Sequence, residues 1–437
     1  MYPPRSEKYN KRKKAKDRQQ RRLWIWINSG LILVIVLMGA YLFFVDHPAE
    51  SGTGNLEGQN QESTGAVDSS HQGSAENPSE AENSGDAEPN LSGGESEGSS
   101  NQNTDPPEVV TEEPGTDEQD RVVISFAGDT LFSGKVETKL KQEGYDYPFR
   151  YVKDLFQKDD LTVLNLETPV TEGGTAAEDK TYVFKSSPEV LPEMLQAGVD
   201  AVNLANNHIL DQGVEGLLDT LGHLDEAGLL RVGAGKNSKE AYAPVYVERG
   251  GIRIALCGFT RVIPKSEWAA GKGPGVAATY DSRQAIKAVE AAREQADLVF
   301  VVAHWGKERT TELEKHQTEL ARAYIDAGAD LVIGGHPHVL QGLESYKGKW
   351  IAYSTGNFIF TKSKDPKTWE TAVFQAACSR DGDCNLKLTP YRTELGQPVP
   401  MNDEERTKLW SELEAISPGV GISESGEVRS KDEGSGG

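Results

Sequence analysis

Lysine and arginine are missing altogether between Asp46 and Asp120, a stretch that carries nineteen aspartates and glutamates. Aromatic and branched residues are almost as scarce there, so the segment cannot bury enough apolar surface to offset its chain entropy and is expected to be disordered. Flexible-coil scaling gives its roughly 75 residues a root-mean-square reach of about 50 Å, lengthened further by self-repulsion. The opposite bias holds in Met1–Arg22, where ten lysines and arginines face only Glu7 and Asp17. Removing these segments, +8 and −19, from the net −22 leaves −11 for everything from Arg121 onward. One basic tail, one acidic tether and one moderately acidic globule follow as the natural division. No basic face is apparent outside the short tail, which argues against nucleic acid as a partner. No internal repeat is visible.

Charge of either sign is absent from Leu23 to Val45, LWIWINSGLILVIVLMGAYLFFV. That run is long enough to cross a hydrocarbon core of about 30 Å as a helix. Trp24, Trp26 and Tyr41 sit near its ends, where amphipathic rings favour the interface. The basic residues before it place residues 1–22 in the cytoplasm and everything after Val45 outside, with the tail against anionic headgroups. The alternative is a cleaved signal peptide, whose apolar core is normally shorter, about 7–15 residues, and ends in small residues rather than Phe43-Phe44.

Cysteine occurs only three times. Cys257 lies in the apolar strand pattern IRIALCGF and reads as an inert core residue. Cys378 and Cys384 bracket the turn-rich SRDGD between two strand patterns. Outside the cell they could close a hairpin disulfide or stay free, because sequence does not show the Cβ geometry a bridge needs.

From Arg121 the pattern alternates. Short apolar runs, VVISFAG, LTVLNLE, VDAVNLA, GIRIALCGF, DLVFVVAHW, ADLVIGGH and KWIAYSTGNFIF, read as strands. Between several of them PEVLPEMLQAG, VEGLLDTLGHLDEAG, SRQAIKAVEAAREQA and TELEKHQTELARAYIDAG have helical spacing, and three close on glycine as helix C-termini do. This predicts an α/β layered domain over residues 121–417, with a mixed sheet, two sheets packed together, from Ser187 to about Glu394, and APVYVERGGIRIALC as a hairpin turning at Arg249-Gly250-Gly251. Residues 418–437 are Gly-, Ser- and Glu-rich and are expected to be unstructured.

The polar residues that stand out each follow an apolar strand: Asp129 in FAGDTLF, Asn165 and Glu167 in LNLETP, Asn206, Asn207 and His208 in LANNH, His304 in VVAHWGKE, His336 and His338 in IGGHPH, and Asn357 in YSTGNF. In open α/β sheets the carboxyl ends of strands bring side chains from several segments to one crevice. Carboxylate, imidazole and amide oxygen together suit divalent metals such as Mn, Fe or Zn. Taken singly, each residue has a plainer account: Asp129 as a cap, Asn206-Asn207 as turn chemistry, His304 as a buried imidazole. His223 and His316, in helical patterns, read as surface histidines.

In this order the motifs resemble the CapA family of capsule synthesis, also called the poly-γ-glutamate synthesis accessory family, within the calcineurin-like metallophosphatase superfamily. The resemblance runs from about Val122 to Thr393. It implies a metallophosphatase-like layered β-sandwich flanked by helices, here preceded by one transmembrane helix and a disordered tether, and two divalent metal ions. Matched by motif, it implies Asp129 and His338 at a first metal, Glu167 as a bridging carboxylate, and Asn207, His304 and His336 at a second. His208 resembles the group that protonates a leaving oxygen, with Asp211 orienting its ring. The superfamily's Asp-x-His reads Asp129-Thr130-Leu131 here, so one ligand of the first metal is missing, and the bridging carboxylate is Glu167 rather than aspartate. The resemblance further implies membrane-bound polymer synthase or export subunits as partners and an anionic polymer or phosphate as substrate. An anionic substrate at an acidic domain needs local cations, for which Lys185, Lys307 and Arg309 lie nearest the motifs, although each alone also reads as solvated surface charge.

Overall fold

The computed structural model describes residues 121–431. The expected span Leu23–Val45 and acidic segment 46–120 lie outside the described residues. Among the described residues no helix is long and apolar enough to cross a membrane.

Strand alternation lays out the layers. In Leu298–His304, Leu298, Phe300 and Val302 point into one core, while Val299, Val301 and Ala303 point into another. Ile252–Thr260 splits the same way, with Ile252, Ile254 and Leu256 on one side and Ala255, Cys257 and Phe259 on the other. Apolar residues on both faces of a strand require cover on both faces. The domain supplies it as two stacked sheets with helices outside each.

The larger sheet runs Gln397–Pro400, Cys384–Glu394, Glu370–Cys378, Val122–Thr130, Leu161–Leu166, Ala201–Asn203, Leu230–Val232, and Asn357–Ile359 pairs beside the end of Val122–Thr130. The second runs Leu343–Tyr346, Lys349–Ala352, Leu331–Gly335, Leu298–His304, Ile252–Thr260, Val245–Arg249. Between them lies a core in which Phe126 and Phe300 meet edge to face at 5.8 Å. Outside the larger sheet, Val136, Leu140, Met194, Leu217 and Leu221 from helices Lys135–Glu143, Val190–Ala197 and Gly213–Ala227 pack on Leu164, Leu166 and Val202. Outside the second, Val289 and Tyr324 from Arg283–Arg293 and Lys315–Asp326 cover Val299, Val301 and Val332.

The expected α/β architecture of two packed sheets is therefore present. The hairpin turns as expected: Arg249 pairs with Ile252, so Gly250 and Gly251 form the two-residue turn, both at positive φ. The central strands of each sheet are parallel. Their carboxyl ends, where the polar motifs lie, therefore gather along one edge.

Cys378 and Cys384 face each other in register and are bonded, which settles the alternative that sequence left open. Cys257 is buried and free, and burial pushes its thiol up to about 12. The disulfide-closed turn also receives the start of the domain. Arg121 donates to the carbonyls of Ala377 and Asp383 and pairs with the Asp383 carboxylate at 2.6 Å.

One boundary needs correction. Residues from 418 were expected to be unstructured, yet Val420–Ile422 and Val428–Ser430 pair as a hairpin. Val420 and Val428 are buried with Leu409, Trp410 and Leu413 of helix Asp403–Ala415. Two apolar anchors in a polar segment suffice because the helix offers a ready-made surface, a tertiary effect that composition does not register.

The disulfide closes a short loop, six residues apart in sequence. The chain-entropy account gives such a loop about 2 kcal/mol. Replacing both Cys378 and Cys384 by serine should lower unfolding free energy by that order in denaturant titration. An unchanged midpoint would show that the crosslink contributes no stability.

Candidate metal centre

Asp129 sits where its strand ends, and the pairing register shifts around it on both sides. Its carboxylate is fully buried. Asn165 donates to Oδ1 at 2.7 Å, the His336 backbone N–H donates to Oδ2 at 3.1 Å, and His338 Nδ1 lies 3.2 Å from Oδ2. Asn165 belongs to the same sheet as Asp129 and His336 follows a strand of the other, so one carboxylate joins the two sheet edges. Gly335 makes that approach possible: a Cβ there would lie 2.7 Å from Asp129 Oδ1.

Glu167 follows the neighbouring strand and is fully buried. Neither of its carboxylate oxygens has a hydrogen-bond partner among the described residues. Oε1 is 3.6 Å from His304 Nε2 and 3.9 Å from His338 Nε2. His304 closes its strand; its Nε2 lies 2.8 Å from Asn207 Oδ1, and its Nδ1 faces Asn165 Nδ2 at 3.2 Å. His336 Nδ1 is likewise buried without a partner among the described residues. Asn357 Oδ1 lies 2.9 Å from His338 Nδ1. His336 and His338, either side of Pro337, both adopt positive φ, 93° and 59°. Non-glycine residues held there cost about 1–3 kcal/mol each and persist only where the surroundings enforce them.

Donor atoms of Glu167, His304 and His336 lie within 4.8 Å of one another, as do those of Asp129, Glu167 and His338. Glu167 belongs to both groups. An unpaired buried carboxylate is costly, and a cation between the donors would remove that cost. Two oxygens and an imidazole nitrogen lacking partners, in a pocket of carboxylates and imidazoles, fit a divalent ion.

The electrostatics follow from burial. Burial, reinforced by the charge of Asp129, holds Glu167 well above the usual carboxylate range. His304 and His336 are held far below an ordinary histidine by burial and by neighbouring histidines. His338 goes the other way. Burial opposes its charge, but the Glu167 charge and the hydrogen bond to Asp129 outweigh that and raise it to about 9.

Asn206 braces the next loop, donating to Leu166 O at 2.8 Å and accepting from the His208 N–H at 3.1 Å. His208 Nδ1 lies 2.7 Å from Asp211 Oδ2, which also accepts from the Phe184 N–H at 2.8 Å. The Phe184 ring packs 4.5 Å from the imidazole. Burial lowers the His208 pKa, and Asp211 partly offsets it.

The cation beside this pair is one that sequence reasoning missed. Lys180 Nζ reaches Asn207 O at 2.5 Å, His208 Nδ1 at 2.8 Å and the Asp211 carboxylate, and sits 5.2 Å from the Trp268 ring. It comes from the irregular stretch AAEDKTY, which carries no periodicity or motif, so no local signal marks it. The expected cations are placed differently. Lys185, Lys307 and Arg309 are exposed; Lys185 Nζ donates to Glu172 O, and Arg309 meets the site through its backbone, donating to Pro337 O at 2.8 Å. His316, read as a surface histidine, is half-buried and accepts from the Gly306 N–H at 3.3 Å.

A pH effect follows for the metal-free protein. His338, raised from 6.5 to about 9, contributes stability that is complete below pH 6.5 and lost as pH rises through about 9. Denaturant unfolding in chelator should therefore show the wild type ahead of His338→Gln at low pH, with the gap narrowing as the medium turns alkaline. A gap independent of pH would contradict the protonated state.

Comparison with known proteins places the chain. Residues 123–362 match the model of the family described as bacterial capsule synthesis protein PGA_cap. The PGA biosynthesis protein CapA of Bacillus subtilis is 35% identical over 65% of this chain and 75% of its own. The capsule biosynthesis protein CapA of Bacillus anthracis is 32% identical over 68% and 74%. Among solved structures, the NAD nucleotidase of Haemophilus influenzae overlaps with a TM-score of 0.40 at 13% identity, covering 68% of this chain and 63% of that one. With more than half its length matched by the family model and three quarters of a relative covered at 35% identity, the chain belongs to the bacterial capsule synthesis protein PGA_cap family.

Proposed function

We propose that the chain is a membrane-anchored, extracytoplasmic accessory of capsule-polymer production, of poly-γ-glutamate or a related anionic polymer, built around a divalent-metal centre. The names of the two Bacillus relatives support the process. The observation that carries the metal-dependent part is the pair of donor groups sharing Glu167, whose two oxygens are buried without partners among the described residues. Leu23–Val45 would be the anchor, and membrane-bound synthase or export subunits the neighbours. The Cys378–Cys384 disulfide suits an oxidising exterior.

Asp129 and His338 would hold one ion, Asn207, His304 and His336 a second, and Glu167 both; Mn, Fe and Zn fit this donor set. When bound, such ions supply Lewis acidity towards a substrate oxygen. The remaining chemistry belongs to side chains on the page. His208 Nδ1 faces a donor, Lys180, and an acceptor, Asp211. Either ring tautomer is thereby supported, so Nε2 can carry or release a proton while the ring stays in place. Lys180 adds positive charge where an anionic substrate would otherwise meet an acidic domain.

A second reading, an extracytoplasmic phosphoesterase, draws on the same His208–Asp211 pair beside the donor cluster. One complementation experiment addresses both. In a capsule producer lacking its own family member, the wild-type chain should restore surface polymer, His336→Ala should fail, and His208→Ala should restore a reduced amount. Purified chain with Mn should be assayed on an aryl phosphate in parallel; turnover that His208→Ala lowers would favour the second reading. Full restoration by His336→Ala would leave a scaffold role and remove the metal-dependent one.

A further inference from the structure

We propose that Glu308 is an additional metal ligand, closing the centre from its solvent side. The inference rests on the metal-centre reading above and concerns a residue that the sequence motifs left unassigned. A carboxylate oxygen of Glu308 and one ring nitrogen each of His336 and His338 lie within 4.8 Å of one another. Glu308 thus reaches the two histidines that belong to different donor groups, as buried Glu167 does. One carboxylate is fully buried and the other exposed. His336, one of these two histidines, is buried and its Nδ1 has no partner among the described residues, an independent sign that its ring is left free for a ligand.

The backbone holds Glu308 in place. Leu298–His304 and Leu331–Gly335 pair in register up to His304 and Gly335. Beyond the strand ends the chains remain tied, the Trp305 N–H donating to Gly335 O at 3.1 Å and the Arg309 N–H to Pro337 O at 2.8 Å. Arg309 takes φ of 60°, and His336 and His338 are also left-handed, so three non-glycine residues adopt a disfavoured conformation along this short seam. Glu308 immediately precedes one of these ties and is thereby carried to the histidine pair.

Coordination numbers explain why a further ligand is needed. Asp129, Glu167 and His338 make a group of three residues, whereas Zn takes about four ligands and Mn about six. The residues after Asp129 add none: Thr130 donates its hydroxyl to Asn165 O at 2.7 Å, and Leu131 is apolar and buried. A carboxylate entering from the loop after His304 fills part of that gap.

The test uses the full chain, stripped with chelator and titrated with Mn2+ and, in parallel, Zn2+ while free ion is measured. Removing residues that only support metal ligands typically costs about 10–100-fold in affinity, so Glu308→Gln should weaken at least one site by about 10-fold or more. Glu308→Asp, which keeps the charge but shortens the reach, should lose much of the same affinity, whereas the control Glu312→Gln should match wild type. The melting temperature of metal-free Glu308→Gln should equal that of wild type. Wild-type affinity in Glu308→Gln, with binding abolished in Glu167→Gln, would overturn the assignment; so would full retention in Glu308→Asp, which would mark a field effect. Failure of the wild-type chain to bind either ion would overturn the metal-centre reading, and the role of Glu308 with it.

Discussion

Beside the apolar core that the two sheets share, Asp129 ties their edges together at the site. Its carboxylate takes one hydrogen bond from Asn165 and one from the backbone of His336, across the divide. Around that link everything else is positioned. Asn165 passes on to His304, Asn203 and Asn206, which fixes the loop carrying Asn207 and His208. His338 is held between Asp129 and Asn357. A negative charge without water must be neutralised by its surroundings, and here those surroundings are the site itself. The geometry demands small residues: Gly335 under Asp129, and Gly128, where a Cβ would lie 1.9 Å from Gly356 O.

The fold was legible where burial is two-sided and periodicity is clean. Leu298–His304 and Lys315–Asp326 announce themselves because their buried residues, His304 and Gln317 apart, are hydrophobic. The positions of Asp129, Glu167, His304, His336 and His338 were legible for a related reason: a polar residue ending an apolar strand is conspicuous. Lys180 was not, because it arrives from an irregular loop whose path is set by the contacts of Lys180 and Phe184 to Asp211 rather than by local pattern. Residues 420–430 were misjudged because their order derives from helix Asp403–Ala415, which buries two valines that a composition rule overlooks.

The centre also divides its protons unevenly. Burial and neighbouring histidines push His304 and His336 towards the neutral form, while Glu167 and Asp129 favour the charged form of His338. In the absence of a cation, a proton on His338 does part of a cation's work. The His338 ring lies 3.2 Å from a carboxylate oxygen of Asp129 and 3.9 Å from one of Glu167.

The attachment of Arg121 has a mechanical consequence. Tension arriving along the chain at residue 121 meets the Asp383 turn before it meets the strand, and that turn is covalently clamped by Cys378–Cys384. Behind it, Val122–Thr130 is central in its sheet, paired antiparallel on one side and parallel on the other. A pull along that strand loads its backbone hydrogen bonds together, in shear, instead of peeling them one at a time. The first residues of the domain are thus fastened twice, by a crosslinked turn and by a strand paired along both sides.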